Sequence, residues 1–357
     1  MTRAKPSMKP LEPPSFDMPR FEYGPEPRWP WRRIARYVLA IAFVVTLAWT
    51  LPIEGSQAAD HQLLVVADLR GQALVIVDLT DPAATRRIAL PGGPHELVRL
   101  PDGRVVASLE QAGALAVVDI NSGVVETVAL GGLPHGLALH EGVLDVTDRS
   151  RGVVRQLRTS DWSEEPAIDA GTWPHAVAAL PTGGLAVADA AGNSLLLNGR
   201  RVEASELPET VAVSPDGQRV ATAGALGDAV EVFDRDGTRI LRVAVGGRPV
   251  RVAFSPDGTQ IAAALSASAG VALLDARTGE ARLVAIGGLP DGLLYAGGLL
   301  YAGDLSAGRI VAIDAKAARV LASYEVQAAG QVRSAGAMLA FEHSGAVGGL
   351  LCPIVRQ

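Results

Sequence analysis

An all-β fold is predicted by two features of this sequence, a repeat and a pattern of short strands. The segment GGLPH at residues 131–135 recurs along the chain, with its proline at positions 94, 134, 174, 208, 249 and 290 and a degenerate copy at Gly330. The steps between these positions are 34 to 41 residues, and a period of this length is typical of repeat architectures. Nothing after residue 61 shows sustained helical periodicity. Seven copies of one all-β unit predict a seven-bladed β-propeller.

Each unit is predicted to form one four-stranded antiparallel blade. In residues 94–132, turns at Pro101-Asp102-Gly103 and Asn121-Ser122-Gly123 separate short apolar runs, and these residue types favour turns through their backbone preferences. The four runs are residues 94–100, 104–109, 114–120 and 124–130. A single sheet cannot hide both of its faces, so neighbouring blades must cover them.

The two ends of the repeat are predicted to meet in one blade. The repeat begins with three runs only, at residues 63–68, 73–79 and 87–90. The first blade therefore lacks an inner strand, which the degenerate copy near Gln331 would supply, closing the ring without an open edge. Two further strand-like runs leave an eighth, incomplete blade as the alternative, at residues 338–341 and 350–354.

Composition and charge exclude several kinds of protein. The chain of 357 residues has a net charge of −6, whereas nucleic acid as a partner needs a basic face. Its one cysteine, Cys352, excludes a disulfide framework within the chain and a zinc site built on cysteines. The sequence also lacks a nucleophile elbow, a phosphate loop, a dinucleotide fingerprint, a haem-attachment motif and a zincin motif.

The N-terminal residues differ in composition from the repeats. Residues 1–30 contain eight prolines and no apolar periodicity, which predicts a disordered tail. Residues 31–54 include an uncharged run of 17 residues at 37–53, close to the roughly 20 residues that span a bilayer. We expect a transmembrane helix or signal anchor at residues 31–54, a linker at residues 55–61 and the propeller at residues 62–357.

The charges around this segment predict its orientation. Up to Arg36 there are eight Lys or Arg residues against four Asp or Glu residues, which predicts a cytoplasmic tail and a propeller outside. The alternative is a cleaved signal peptide, because Ser56-Gln57-Ala58 offers small residues where a signal peptidase cuts. In both cases the repeats lie outside the cytoplasmic membrane.

These motifs resemble the YVTN-type β-propeller repeats, a family of extracytoplasmic bacterial and archaeal proteins. The likeness lies in the Gly-Gly-x-Pro-His start and the Ser-Pro-Asp-Gly turns at residues 214–217 and 255–258, and it covers residues 62–336. The Tyr-Val-Thr-Asn signature has decayed, and residues 145–148 and 300–304 are its closest versions. The resemblance implies a propeller on the periplasmic or extracellular side of a bacterial cytoplasmic membrane, here in a single-pass protein. It implies no single function.

Antiparallel topology predicts which side chains share one end of the propeller. The link between blades and the turn between the second and third strands lie at the same end of a blade. The position after each repeat proline begins an innermost strand and should ring the mouth of the central channel. In order, this ring is His95, His135, His175, Glu209, Val250, Asp291 and Gln331. Acidic residues that end second strands share this face, and they are Asp68, Glu110, Asp148, Asp189 and Asp304.

Two interpretations of these residues stay open. Imidazole and carboxylate groups bind zinc, copper or iron, so the ring predicts a divalent-metal or anionic-ligand site at the channel mouth. Alternatively, Pro-His is part of the repeated unit, and each histidine hydrogen-bonds the backbone of a neighbouring blade. The acids have a similar alternative, because aspartate at a strand end caps turns through its side chain.

Three functions are compatible with these features. The first is a membrane-tethered binding or scaffold module outside the cytoplasm, with residues 31–54 in the membrane and a protein partner or ligand bound in the envelope. The second, which the resemblance suggests, is an accessory or catalytic subunit of a periplasmic oxidoreductase, or a metal-dependent lactonase-like hydrolase. The third is a structural envelope protein. The lack of a catalytic motif favours the first, since function on such scaffolds lies in the loops.

Overall fold

The computed structural model describes residues 62–181, 183–325 and 334–342, and the predictions for residues 1–61 lie outside them. In the described ranges the chain forms seven four-stranded antiparallel sheets. Their innermost strands contact one another in order, and the last contacts the first. The predicted seven-bladed β-propeller is confirmed. Within these ranges, none of the helices has the length and apolar composition needed to cross a membrane.

The strands of each blade follow one another from the innermost to the outermost, except in the first blade. The first blade comprises β1 (Gln62–Asp68), β2 (Ala73–Asp78), β3 (Arg86–Ala89) and, innermost, β28 (Met338–Glu342). The second to fourth blades comprise β4 (Leu97–Arg99), β5 (Val105–Leu109), β6 (Ala114–Val118), β7 (Val125–Ala129), β8 (Pro134–His140), β9 (Val143–Asp148), β10 (Val153–Arg158), β11 (Glu164–Asp169), β12 (Pro174–Ala179), β13 (Leu185–Asp189), β14 (Ser194–Leu197) and β15 (Arg200–Glu203). The fifth to seventh blades comprise β16 (Pro208–Val213), β17 (Arg219–Gly224), β18 (Ala229–Asp234), β19 (Arg239–Ala244), β20 (Pro249–Phe254), β21 (Gln260–Leu265), β22 (Gly270–Asp275), β23 (Ala281–Ala285), β24 (Pro290–Ala296), β25 (Leu299–Asp304), β26 (Arg309–Asp314) and β27 (Arg319–Glu325). Two short 3₁₀ turns are Pro82–Ala84 and Glu110–Ala112.

The burial of each strand follows from its place in the blade. The middle strands of the second blade, β5 and β6, read VVASL and ALAVV and are buried along their whole length, because neighbouring blades cover both faces. The outermost strand β7 is half-buried or exposed at every position. Between the first and second blades, Leu74 and Ile76 share one apolar cluster with Val105 and Ala107. Small aliphatic side chains of this kind let adjacent sheets pack closely.

The C-terminal strand closes the ring, at a different place from the one predicted. β28 pairs with β1, with Phe341 opposite Leu63, so the strand-like run at residues 338–341 is the missing inner strand. The prediction that the segment near Gln331 supplies this strand is wrong, and so is the alternative of an eighth blade. Gln331 and residues 350–354 lie outside the described ranges.

The length of the last link between blades explains this difference. Leu289 lies two residues before the histidine position of the seventh blade. Its backbone N–H donates to the strand-end Asp304 at 2.9 Å. Ser334 makes the equivalent bond to Asp68, also at 2.9 Å. Gly336 therefore occupies the ring position predicted for Gln331, so the link before it is longer than the repeat period implies.

Candidate functional site

The three Pro-His histidines come together at the mouth of the central channel. His95 precedes β4, His135 lies in β8 and His175 lies in β12, the inner strands of three consecutive blades. The ring centroids of His95 and His135 are 4.8 Å apart, and those of His135 and His175 are 4.0 Å apart. One position of the repeat thus produces a continuous row of imidazoles.

Backbone contacts hold two of these rings. The Nδ1 atom of His135 lies 3.0 Å from the carbonyl oxygen of His175, and Nδ1 of His175 lies 2.7 Å from the carbonyl oxygen of Glu209. Each of the two histidines binds the backbone of the next blade, as the structural interpretation of the repeat predicts. Gly136 permits the close approach of the third and fourth blades, because a Cβ atom there would lie 2.7 Å from the same His175 oxygen.

These contacts determine which ring nitrogen is available to a ligand. A carbonyl oxygen can only accept, so Nδ1 carries the proton and Nε2 of the neutral ring presents a lone pair. Burial lowers the pKa of His135 well below its usual range, and His175, His95 and Arg149 lower it further. Burial likewise lowers the pKa of His175 to about 3. Both imidazoles are therefore neutral near pH 7, the state in which imidazole binds metal ions.

Glu110 brings a carboxylate to this row. Its Oε2 atom lies 3.8 Å from Nε2 of His95 and 3.8 Å from Nε2 of His135. The same oxygen accepts a hydrogen bond of 2.6 Å from Nη1 of Arg149, whose guanidinium lies 4.0 Å above the centre of the Trp173 ring. Glu110 and His135 are buried, but 25% of the His95 side chain is exposed. This exposure gives the group an opening to solvent.

The four aspartates of the predicted set hold the blades together. The Asp148 carboxylate accepts from the backbone N–H of Leu133 at 3.2 Å and of Ser150 at 3.1 Å, which joins the link between blades to the turn after the second strand. Buried carboxylates make equivalent pairs of bonds in three other blades, at Asp68, Asp189 and Asp304. This is the turn-capping role that the alternative interpretation predicts. The prediction that Glu110 shares their position is wrong, because the register of β5 with β6 puts Leu109 at the strand-end position and Glu110 one residue later.

An ion cluster lies across the channel, and the sequence-based prediction included its Asp291 but not Glu96 or Arg251. Arg251 donates to both carboxylate oxygens of Glu96, at 2.7 and 3.1 Å, and to Asp291 at 3.4 Å. Glu96 belongs to the second blade and Arg251 to the sixth, so the bond connects two distant sides of the ring. Burial lowers the pKa of Arg251, but Asp291 and Glu96 outweigh burial and the net shift is upward. The guanidinium therefore stays charged.

The remaining described ring positions add one carboxylate. Glu209 lies 3.6 Å from Nη2 of Arg248. Burial raises the pKa of Glu209, with Arg248 opposing this effect and Asp291 adding to it. Val250 is half-buried and supplies no polar side-chain group. The polar part of the mouth is thus concentrated on the second to fourth blades and on the Arg251 cluster.

A second position of the repeat carries the signal that could have found this cluster. Two residues after the proline, most inner segments have a small residue, namely Gly136, Ala176, Thr210 or Gly292. Glu96 and Arg251 are the charged exceptions at this position. Opposite charges at one repeat position predict an ion pair across the channel once the number of blades is known. Arg149 carries a similar signal, because it occupies the same repeat position as Glu110 in the neighbouring blade and has the opposite charge.

Three of the described residues are placed so that they could hold a metal ion together: His95, Glu110 and His135. One ligand atom from each lies within 4.8 Å of the other two. Ligands around tetrahedral zinc are about 3.4 Å apart, since each lies about 2.1 Å from the ion. Small side-chain movements would therefore bring this group onto an ion. Two imidazoles and one carboxylate, with a fourth position left open, form a ligand set used by catalytic zinc.

Comparisons with known proteins identify the fold. No protein-family model matches the sequence, and no curated protein matches it significantly. Hydrazine synthase of Kuenenia stuttgartiensis aligns with a TM-score of 0.57 at 20% identity, over 62% of this chain and 77% of that chain. The dihydro-heme d1 dehydrogenase NirN, in complex with DHE, aligns with a TM-score of 0.57 at 20% identity, over 79% of this chain and 67% of that chain.

A third solved structure aligns over almost its whole length. It is a Bacteroides fragilis protein classed as a candidate 6-phosphogluconolactonase, with a TM-score of 0.62 at 17% identity, over 80% of this chain and 99% of that chain. These three proteins differ in their named activities, and identities this low establish the architecture alone. By its structure and by these comparisons, the chain is a seven-bladed β-propeller.

Proposed function

We propose that this chain is an extracytoplasmic binding module that takes a ligand or a protein partner at the histidine-bearing mouth of its central channel. The observation that carries the proposal is the convergence of polar groups there, from His95, Glu110, His135, Arg149 and Trp173. Burying such groups costs free energy unless they are paired. Asp68, Asp148, Asp189 and Asp304 cap the links before their blades without these groups, so the mouth carries more polar chemistry than the fold requires.

An ion pair that crosses the channel also supports binding at the mouth. The contact between Arg251 and Glu96 crosses the channel one residue further along the inner strands than the histidines. A ligand that enters past His95 meets this ion pair, and it would have to break two charge-assisted hydrogen bonds to go further. We therefore expect the ligand to stop at the mouth.

The proposal places the propeller outside the cytoplasmic membrane, with residues 31–54 as its tether. Support for this part comes from the apolar run at residues 37–53 and from the excess of basic residues before it. A binding module on a tether would serve a partner or ligand in the envelope.

A second candidate is a catalytic role, as a metal-dependent hydrolase or as a subunit of a periplasmic oxidoreductase. The grouping of His95, Glu110 and His135 favours it, because catalytic metal sites combine three protein ligands with an open position. Hydrazine synthase and the dehydrogenase NirN are examples of named enzymes with this fold.

Purification of the full-length protein from native membranes in mild detergent tests the first proposal. Co-purifying proteins and small molecules would be identified by mass spectrometry for the wild type, for a His95→Ala, Trp173→Ala double variant and for an Arg277→Ala control. Arg277 is exposed in the turn between β22 and β23, at the opposite end of the blades. Loss of a stoichiometric partner or ligand in the mouth variant alone supports the proposal. If both variants retain the partner or ligand, the binding surface lies elsewhere.

A further inference from the structure

We infer that His95, Glu110 and His135 bind a divalent transition-metal ion, and that Arg149 competes with this ion for the Glu110 carboxylate. The inference rests on the proposed function, because it names an ion as occupant of the same mouth. It uses three side chains from two neighbouring blades, so the ion would also bridge the second and third blades.

Two atoms that carry lone pairs lie close together in this group, one on His135 and one on Glu110. Nδ1 of His135 donates to the His175 carbonyl, so its Nε2 atom has a lone pair and no proton. This Nε2 lies 3.8 Å from a carboxylate oxygen of Glu110. Two acceptors cannot hydrogen-bond each other, and the Arg149 guanidinium, 2.6 Å from the carboxylate oxygen, is the cation that offsets their repulsion in this arrangement. A bound ion would convert this repulsion into two coordinate bonds.

The Glu110 carboxylate takes no part in the capping of links between blades. Leu109 pairs with Ala114 as Asp148 pairs with Val153, so Leu109 holds the aspartate position in the second blade and Glu110 lies one residue later. The Glu110 carboxylate accepts from Arg149 of the next blade instead. The carboxylate is thus buried without serving the scaffold of its own blade.

The donor types select the class of ion. Imidazole nitrogens suit Zn²⁺, Cu²⁺ and related ions, whereas Ca²⁺ and Mg²⁺ prefer oxygen ligands. Histidines that bind metals commonly donate their other ring N–H to a carbonyl or carboxylate, which fixes the ring. His135 has such a bond to the His175 carbonyl. His95 is half-buried and can make the small movement that closes the ligand set around an ion.

Arg149 is placed to weaken the binding of a cation. Its Nη1 atom lies 2.6 Å from the Glu110 oxygen that is nearest both imidazoles, so its positive charge opposes an ion at that oxygen. Trp173 offers the guanidinium a stacking surface 4.0 Å away, on which it can remain when the ion takes the carboxylate. Removal of this charge should therefore strengthen metal binding.

Titration of the full-length, chelator-stripped protein with Zn²⁺ alone tests the inference. Calorimetry would give the affinity and stoichiometry, and the absorption bands of Co²⁺ would report four-coordinate binding. We expect one equivalent to bind, about tenfold or more weaker binding in Glu110→Gln, and about tenfold tighter binding in Arg149→Gln. His140→Gln is the matched control, because His140 forms another histidine–carboxylate pair, 2.8 Å from Asp145, at the opposite end of β8.

Two outcomes would overturn the inference. One is equal Zn²⁺ affinity in the wild type and in Glu110→Gln, and the other is an equal loss in His140→Gln. Melting curves show whether each variant is folded, and His95→Ala replaces Glu110→Gln if the latter unfolds. Repeating the partner purification in chelator separates this inference from the proposed function. If chelator is present and a partner still co-purifies with the wild type but not with the mouth variant, the binding module is supported whatever the Zn²⁺ titration shows.

Discussion

Arg251 and Glu96 are 155 positions apart in the sequence and are joined by two hydrogen bonds of 2.7 and 3.1 Å across the central channel. About a fifth of each side chain is exposed, 21% and 20% respectively. Asp291 lies 3.4 Å from the same guanidinium. Bidentate pairs of arginine and carboxylate are among the stronger hydrogen-bonded contacts. This pair joins the second and sixth blades across the channel, so we expect it to stabilise the closed ring.

Replacing Arg251 with methionine should lower the free energy of unfolding by about 2–4 kcal/mol. The variant leaves Glu96 and Asp291 with no shared cation in a partly buried site. Urea denaturation at pH 7 measures the loss. The control is Arg158→Met, because Arg158 is 59% exposed in its ion pair with Glu165 and ion pairs this exposed contribute little to stability. Equal losses in the two variants would contradict a bracing role for Arg251.

The closing strand gives a second prediction about stability. Phe341 is 1% exposed in the apolar cluster between the first and second blades, and the Arg99 guanidinium lies 4.3 Å from its ring centre. Phe341→Ala should cost about 3–5 kcal/mol and should increase proteolysis, because β28 holds the ring closed. Leu283→Ala, at a position 60% exposed on β23, should change stability by no more than about 0.5 kcal/mol. Similar denaturation midpoints for both variants would rule out this role of β28.

The blades and the row of histidines could be predicted because they are local and periodic. A turn such as Pro101-Asp102-Gly103 ends a strand through its own backbone preferences, and the period then counts the blades. His95, His135 and His175 follow from the same period together with antiparallel topology. Each of these features needs only the sequence of one unit and the distance to the next.

Contacts between distant units could not be predicted in this way. The pairing of Glu96 with Arg251 depends on which blades face each other, and therefore on the closed ring. The closing strand was misplaced because the link before Ser334 is longer than the period. The sequence groups Glu110 with the acids that end second strands, but the strand register puts Leu109 at that position and Glu110 one residue later, where it contacts Arg149 of the next blade.

Asp304 should make the stability of the propeller sensitive to strong acid. Burial raises the pKa of Asp304, but hydrogen bonds from Ser306, Leu289 and Ala307 outweigh burial and lower it to about 2, from a reference value of 3.8. A carboxyl with a depressed pKa contributes stability that is fully present above pH 3.8 and is lost as the pH falls through 2.

Asp304→Asn tests this dependence because asparagine has a similar size and does not ionise. At pH 7 the variant should be less stable than the wild type by about 1–3 kcal/mol, since buried N–H donors lose a charged acceptor. At pH 2 the difference should be much smaller. Asp236→Asn, at an exposed position in a turn, should change stability little at either pH. If the difference in stability between Asp304→Asn and the wild type is the same at both pH values, the depressed pKa of Asp304 is contradicted.

The N-terminal segment gives a prediction about the location of the propeller. Residues 31–54 should direct residues 62–357 across the cytoplasmic membrane with the tail left inside, because basic residues precede the apolar run. Alkaline phosphatase fused after residue 61 should therefore be active, and the same enzyme fused after residue 28 should be inactive. An inactive fusion after residue 61 would refute export.

Retention and cleavage of the segment predict different products. A retained anchor gives a full-length protein that stays in the membrane pellet after a carbonate wash, since about 20 apolar residues are enough to hold a helix in a bilayer. Cleavage near Ala58 gives a shorter, released protein whose first residues can be sequenced. Replacing Val44 and Val45 with arginine breaks the apolar run and should abolish membrane retention, because each charge near the bilayer centre costs about 2.5–3.5 kcal/mol. Retention of that variant in the washed pellet would mean that another part of the chain, or a bound partner, holds the protein at the membrane.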